Sequence, residues 1–581
     1  MRFEVKVRDC NTRAGELEIE GKIIGIPNIL WYSSPRISPP SFAEIKLGDG
    51  IKGGGSFFYP EECRICIPPA LLYPYSFPEE IHNRAYEMNK KYFDVLSIVS
   101  AKGGYRKGFI NVMANSRELF HNPRDFVNAM VEIRRRIGYS LLYAPGVANP
   151  VNLPLLAYSG IDLFDSIDVV LKTRKGIYFT PEEEKHLDEM DELPCSCNAC
   201  VKGIEGYEDL LSHNYNVLQS EMIKVRNAIK NRTLRHLVES RCHFDAKFAS
   251  IIRLFDSLHY QFQEKRYPVT GGKIIASPYS LNRPDVKRFR ERILERYEKP
   301  ECTKILLLLP CSSRKPYSLS RSHRLFRRVM ANVSNHYVIH EVMITSPLGI
   351  VPRELEYTYP AAHYDISVTG YWDGEEVEML NEMLRSYLER NQYDVIINHL
   401  PPEIASHLDI DALSTCHDHP TSSESLKELE KAVRMANEFE RVGHTIRKRD
   451  DVMAMLGYQF GKETARHFLQ GCRIRGKFPE YRIYYEEKQM ASFSMSRGMF
   501  VLTFPGGKKM GRRYWVEIDN FFPKGSVFAV GVKDACDEIR VGDEVTVFHG
   551  DELRGVGISR MNGEEMVESE HGEAVKIRHY K

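Results

Sequence analysis

Hydrophobic and polar positions change rhythm several times along the chain. Near the start, GELEIEGKIIGIPNILWYSS alternates and then turns at Gly and Pro, which predicts strands. Further on, PRDFVNAMVEIRRRIG has a helical period, and SLLYAPGV is a short apolar run of a buried strand. Repeated β/α units over residues 1–241 predict a barrel-like first domain. The clearest stretch is KILLLLPCSSRKPYSLSRSHRLFRRVM, Lys304 to Met330. Ile305 to Leu309 are apolar and stop at Pro310. After ten polar-rich positions, Leu325, Phe326 and Val329 fall on one side of a helix and Arg324, Arg327 and Arg328 on the other. Strand, loop and helix in that order predict a parallel α/β sheet, whose ligands bind at the carboxyl ends of strands. HEVMITSPLG and YDVIINHLPP end in the same way, at Ser346 and at Asn398-His399, with the helical EEVEMLNEMLRSYLERN between them. Cys311, Ser346 and His399 are thus expected at one sheet edge. This α/β domain spans residues 242–425. A helical run and the strand-like MASFSMSRGMFVLTF predict a small α+β domain over 426–506. From 507 to 581, short strands with tight turns predict a β-barrel.

Composition narrows the class. The chain has 581 residues, 43% hydrophobic and 27% charged, with a net charge of +1. With so little net charge, nucleic-acid contact has to come from local patches. One such patch is GGKKMGRRYWVEI, where Lys508, Lys509, Arg512 and Arg513 stand beside Tyr514 and Trp515. The longest apolar run is too short to span a membrane, and MRFEVKVRDC has no secretory apolar core. The expectation is a cytoplasmic protein without membrane contact.

Twelve cysteines in a reducing compartment point to metal or catalytic thiols, not to disulfides. Cys195, Cys197 and Cys200 form C-x-C-x-x-C, and His213 follows. Three thiolates and an imidazole make a closed, structural, tetrahedral zinc site. Cys63 and Cys66 form a C-x-x-C that reads as buried thiols. In the Lys304–Met330 loop, Cys311 is the candidate nucleophile, with Ser312, Lys315, Tyr317, Ser320 and His323 around it. Ser320 or Ser322 also suits a helix N-cap. Tyr371 and Trp372 could stack on a nucleobase or pack in a core.

The spacing P-C-S-x-x-K-P-Y-x-x-S-x-S-H, from Pro310 to His323, resembles the signature of archaeosine synthase, the archaeal paralogue of tRNA-guanine transglycosylase. The cysteine cluster with His213 and Asn214 resembles the zinc site of the transglycosylases. SGIDLFDS resembles their G-x-D-x-F-D segment, whose second Asp captures ribose; here that is Asp165. Where the transglycosylase pattern is D-S-G-G-[FY]-Q, this chain has Ala101-Lys102-Gly103-Gly104-Tyr105-Arg106, without the acid that handles the incoming base. The segment around Gly525, Gly531, Val532, Gly542, Asp543, Val545 and Gly557 resembles a PUA domain, an RNA-binding β-barrel of RNA-modifying enzymes.

The resemblance implies a degenerate transglycosylase-like (β/α)8 barrel with a zinc site, a central three-layer α/β domain, a linker domain and a PUA barrel. It also implies a tRNA substrate carrying 7-cyano-7-deazaguanine in its D-arm. Nitrogen from an amine donor, free lysine ahead of glutamine or ammonia, would add to the nitrile, with a partner enzyme able to complete archaeosine. The reading admits a homodimer. A thiolate at Cys311 would attack the nitrile carbon and His323 would shuttle protons. Ser312, Ser320 and Tyr317 would steady the imide nitrogen, and Lys315 would lower the thiol pKa or bind a donor carboxylate. Base exchange through Asp165 and non-catalytic tRNA binding are the alternatives.

Overall fold

The computed structural model describes residues 2–581 apart from 20, 49–55, 59–63, 67–72, 93–95 and 367–371, with the backbone alone at 56–58, 64–66 and 92. The Cys63/Cys66 pair and Tyr371 lie outside the described side chains. The chain divides into two compact units. The first is Met1–Pro268 with Phe528–Val530 and Glu564–Glu573; the second is Val269–Val527, Gly531–Gly563 and Ala574–Lys581.

The first unit opens with an antiparallel sheet, Arg2–Asp9, Thr12–Ile19 and Lys22–Ile26. An eight-stranded sheet follows. Its spatial order is Arg64–Cys66, Ser56–Phe58, Ile45–Gly48, Asn28–Ser33, Leu163–Asp165, Leu141–Tyr143, Ile110–Met113, Leu96–Val99. The last six run parallel, and the first two form an antiparallel hairpin on the edge. Of the eight parallel strands of the (β/α)8 expectation the sheet has six, and among the described residues no ladder joins its two ends. Helix Pro123–Ile137 starts where Asn122 accepts from the amides of Arg124 and Asp125, with Pro at its first turn.

This unit continues past residue 241. Helices Ala246–Leu258 and Tyr260–Arg266 bury Phe248, Ile251, Ile252, Phe255 and Phe262. Asp256 takes both guanidinium nitrogens of the buried Arg235, at 3.1 and 2.6 Å, and Gln263 donates to it at 2.9 Å. Cutting the chain at 241 would strand a buried charge.

The second unit is organised around Ile305–Pro310. Its strands lie in the order Gly349–Pro352, Ile339–Thr345, Ile305–Pro310, Val395–Asn398, Leu413–Ser414, all parallel except the first. Ile305, Leu307 and Leu309 pack with Phe326 of helix Arg321–Ala331 and with Leu429 and Val433 of helix Ser423–Val433. That second helix crosses the expected boundary at 425, because its apolar face covers the sheet. Next come helices His444–Phe460 and Lys462–Leu469 and a four-stranded antiparallel sheet over residues 473–502.

Helix Phe504–Met510 crosses the expected boundary at 507. The last sheet has six strands, in the order Ser526–Phe528, Glu573–Tyr580, Glu552–Ser559, Glu544–His549, Trp515–Ile518, Val532–Ala535. In it Gly557 lets the backbone of Lys576 approach to where a Cβ would lie 2.2 Å from its carbonyl oxygen. Among the described residues no helix is long and apolar enough to cross a membrane.

Candidate functional site

The cysteine cluster closes as its spacing predicts. The ligand atoms of Cys195, Cys197, Cys200 and His213 all lie within 4.8 Å of one another. Cys197 Sγ is 3.6 Å from Cys200 Sγ, and His213 Nδ1 is 3.5 and 3.2 Å from those sulfurs. Ligands held at about 2.3 Å (S) and 2.0 Å (N) around one tetrahedral ion stand about 3.5–3.8 Å apart, so the set fits a metal ion. His213 Nε2 lies 2.9 Å from the Phe179 carbonyl, which fixes the tautomer that leaves Nδ1 free to bind, and Tyr178 stacks on the imidazole at 3.9 Å.

Asp165 ends a parallel strand and is fully buried. Its carboxylate accepts from the Tyr143 hydroxyl at 2.6 Å and from the amides of Gly146 at 2.8 Å and Ile167 at 2.9 Å. Burial raises its pKa to about 6 against the pull of those three donors. These three donors hold the Asp165 carboxylate in one orientation at the end of its strand. A cleft of about 520 Å³ nearby is lined by Gly146, Asn149, Asp168, Lys172 and Arg117, and Asp165 is not part of its wall. The Gly-Gly pair is retained for backbone reasons. Gly103 has φ +74°, and a Cβ on Gly104 would stand 2.5 Å from the Tyr86 ring.

Cys311 sits just beyond the carboxyl end of the central strand and is half-buried. Thr345 lies beside it on the neighbouring strand and donates its hydroxyl to the Ser346 carbonyl at 3.1 Å. From there a hydroxyl chain runs inward: Thr345 Oγ1 to Tyr364 at 2.5 Å and Tyr364 to Tyr317 at 2.5 Å. Lys315 Nζ lies over the Tyr364 ring, 3.9 Å from its centre, and has no hydrogen-bond partner although it is buried. Burial pushes the Cys311 thiol up, with Thr345 and Lys315 pulling it back; burial pushes the Lys315 ammonium down. Burial thus disfavours the thiolate at Cys311, while Lys315 favours it, the direction expected of that lysine.

Several expected partners are held elsewhere. His323 is buried. Its Nε2 contacts the Pro310 carbonyl at 3.0 Å and its Nδ1 receives Arg353 at 2.8 Å. Burial and that guanidinium hold its pKa well below the ordinary value. Both nitrogens are taken, so His323 positions the Cys311 loop and does not shuttle protons. Ser320 is the N-cap of helix Arg321–Ala331, accepting from the His323 amide at 3.2 Å, and its hydroxyl lies 3.2 Å from that of Ser322. Ser312 donates to the Arg314 carbonyl at 2.9 Å. Ser346 donates to Glu376, and His399 is buried between Thr415 and the Pro420 carbonyl at 2.8 Å each, its pKa down to about 4. The three strand ends are neighbours, as expected, but Cys311 alone leaves a reactive group open.

Thr345, Tyr364 and Arg353 were not singled out from the sequence. Thr345 could have been found from register. Pro310 pairs with Ile344, so Cys311 falls beside Thr345 and not beside Ser346.

The basic run before the last sheet is largely engaged. Arg513 makes a two-point pair with Glu538 at 2.5 and 2.7 Å, Arg512 reaches Glu517 at 2.7 Å, and Lys509 donates to the Gln470 carbonyl at 2.9 Å. Tyr514 is fully buried, with its hydroxyl on the Gln459 carbonyl, so it is no stacking platform. Lys508 and Arg512 remain exposed.

Three family models match the chain: Queuine tRNA-ribosyltransferase over residues 128–247, Domain of unknown function (DUF5591) over 286–433, and PUA domain over 518–581. The chain is similar to "Archaeosine synthase subunit alpha" of Methanosarcina acetivorans, 36% identical across 98% of this chain and 94% of that protein. It is similar to "Archaeosine synthase" of Haloferax volcanii, 36% identical across 81% of this chain and 82% of that protein. "tRNA-guanine(15) transglycosylase" of Methanothermobacter thermautotrophicus is 28% identical across 74% of this chain and 65% of that protein. Cys311 and its loop lie in the stretch matched by the domain of unknown function, outside the stretch matched by the ribosyltransferase model.

Proposed function

The chain belongs to the archaeosine synthase family, and from that premise we propose that it adds nitrogen to the nitrile of 7-cyano-7-deazaguanine already in the D-arm of tRNA. The observation that carries this reading is the pairing of Cys311 with a buried, unpartnered Lys315 amine at the carboxyl end of the central strand. In the reaction, Lys315 takes the thiol proton as the sulfur adds to the nitrile carbon, forming a C–S bond and a thioimide. The imide nitrogen takes a proton back from Lys315. The donor amine then adds to the same carbon and the C–S bond breaks, returning the thiol and leaving an amidine. No electrons change hands and the glycosidic bond stays intact. Tyr317 and Tyr364 hold the Thr345 hydroxyl in place on the strand beside Cys311. Asp165 serves the architecture of the first unit.

Free lysine is the proposed donor, ahead of glutamine and ammonia. A lysine adduct needs a further cleavage to become archaeosine, and relatives whose names include "subunit alpha" support a partner that performs it. We assign zinc to the Cys195/Cys197/Cys200/His213 set, where it would tie the cysteine loop to helix Tyr207–Asn231. The last sheet, within the PUA match, contributes tRNA binding.

The test is nucleoside mass spectrometry of tRNA carrying the nitrile base after incubation with lysine, glutamine or ammonium. Lysine should give an adduct, and Cys311→Ser should give none, a fall of about 10³-fold or more, with tRNA affinity unchanged. Release of free nitrile base, or an active Cys311→Ser enzyme, would sink the reading and restore base exchange. Binding without any product would leave a tRNA-binding partner.

A further inference from the structure

The basic run that the sequence offered for RNA binding is mostly tied up, yet a second cationic surface stands free in the second unit. Helix Arg321–Ala331 carries four arginines and no acid. Arg321, Arg324 and Arg328 fall on one stripe at helical spacing, with Arg327 beside it, and all four are exposed. Among the described residues Arg321, Arg327 and Arg328 make no ion pair with a carboxylate. The stripe begins next to the Cys311 loop and runs about 10 Å along the helix.

At the other end of that helix lies a groove of about 410 Å³, lined by Arg327, His336, Tyr337, Lys448 and Lys477 among others. Its acids are already matched. Glu341 pairs with Arg353, Glu354 with His340, and Asp451 with Arg447. Lys448 and Lys477 face His444 and among the described residues make no ion pair with an acid, so the groove carries positive charge beyond what its own acids match. Arg353, in the groove wall, is the residue that holds His323 and through it the Pro310 carbonyl. Stripe, groove and cysteine loop are thus connected parts of one unit.

We propose that the arginine face of helix Arg321–Ala331 and the groove at its end bind the tRNA sugar-phosphate backbone flanking the nucleotide presented to Cys311. This rests on the reading that the chain acts on tRNA, and it places the phosphate contacts in the second unit's sheet domain in addition to the C-terminal sheet. Arginine suits the task because its planar fork pairs two-point with phosphate, and each phosphate contact releases a counterion.

The experiment measures tRNA affinity of the full chain over a salt series. Two variants are compared with wild type: Arg327→Ala/Lys448→Ala/Lys477→Ala in the groove and Arg321→Ala/Arg328→Ala on the stripe. Loss of three phosphate contacts should weaken binding about 10- to 100-fold at low salt and make the log–log salt slope shallower by about 2–3; loss of two, by about 2. The stripe residues point to solvent, so that variant stays informative if the groove variant does not fold. Wild-type affinity and slope in the stripe variant would overturn the proposal. So would unchanged tRNA binding with a raised KM for the amine donor in the groove variant, which would make the groove a small-ligand site. If wild type itself fails to bind tRNA, the functional reading falls first and this surface with it, whereas tight wild-type binding with unaltered variants refutes the surface alone.

Discussion

Asp165 and Cys311 occupy the same kind of place, the carboxyl end of a parallel strand, in two different units. Around Asp165 every oxygen that matters has a donor: Tyr143, the Gly146 amide and the Ile167 amide. Around Cys311 the donors and acceptors do not close. Thr345 stands beside the thiol, and the amine of Lys315 has the Tyr364 ring but no hydrogen-bond partner. A saturated group is held still by its neighbours and serves structure. A buried polar atom with no partner costs free energy, about 1–3 kcal/mol, and such a cost persists at sites where a substrate completes the set. The first unit has, in the same way, gathered its cysteines into a closed ligand set, while the second leaves one cysteine open.

The sharpest test of that contrast is the pair Cys311→Ser and Asp165→Asn, where the first should abolish product and the second should stay within about threefold of wild type. The reverse ranking would move the chemistry into the first unit. Next in size is Lys315→Met. It should lower kcat by about 10²-fold and move the acid limb of the pH–rate profile to higher pH. The reason is that burial raises the Cys311 thiol and lowers the Lys315 amine, so removing the amine leaves the thiol to lose its proton unaided. An unmoved acid limb would mean that Lys315 does not take the thiol proton.

Replacing Cys197 by Ser should act on stability and not on the nitrile reaction. Bound zinc should fall from about one per chain, the melting temperature should drop by about 5–10 °C, and the folded fraction should keep its turnover. Full metal content with an unaltered melt would rule out the site.

The smallest effect is a pH dependence. Burial raises the folded pKa of Asp165 to about 6, above its unfolded value, so the folded state holds the proton more tightly. Its contribution to stability is fully present below about pH 4 and is lost as pH rises through about 6, by about 3 kcal/mol. Asp165→Asn cannot titrate, so its melting temperature should decline less than that of wild type between pH 4 and 6. Parallel curves would show an ordinary, ionised Asp165.

The chain's own pattern determined much of this. The apolar run Ile305–Leu309 ending at Pro310 fixed the central strand, because five buried apolar residues and a helix breaker leave few other outcomes. C-x-C-x-x-C with His213 fixed the ligand set, because one loop supplies three sulfurs at short range. The resemblance of the Pro310–His323 motif to archaeosine synthase is matched by relatives over nearly the whole chain. Tertiary structure decided which of the motif's polar groups are available. His323, Ser320, Ser346 and His399 look reactive in one dimension, but Arg353, the helix N-terminus, Glu376 and Thr415 claim them in three. It also decided that Tyr514 and Arg513 face inward, and that the first unit continues to Pro268. The physical reason is that burial and hydrogen-bond satisfaction are set by neighbours far apart in sequence. Residue type shows what a side chain could do, and only packing shows what is left for it to do.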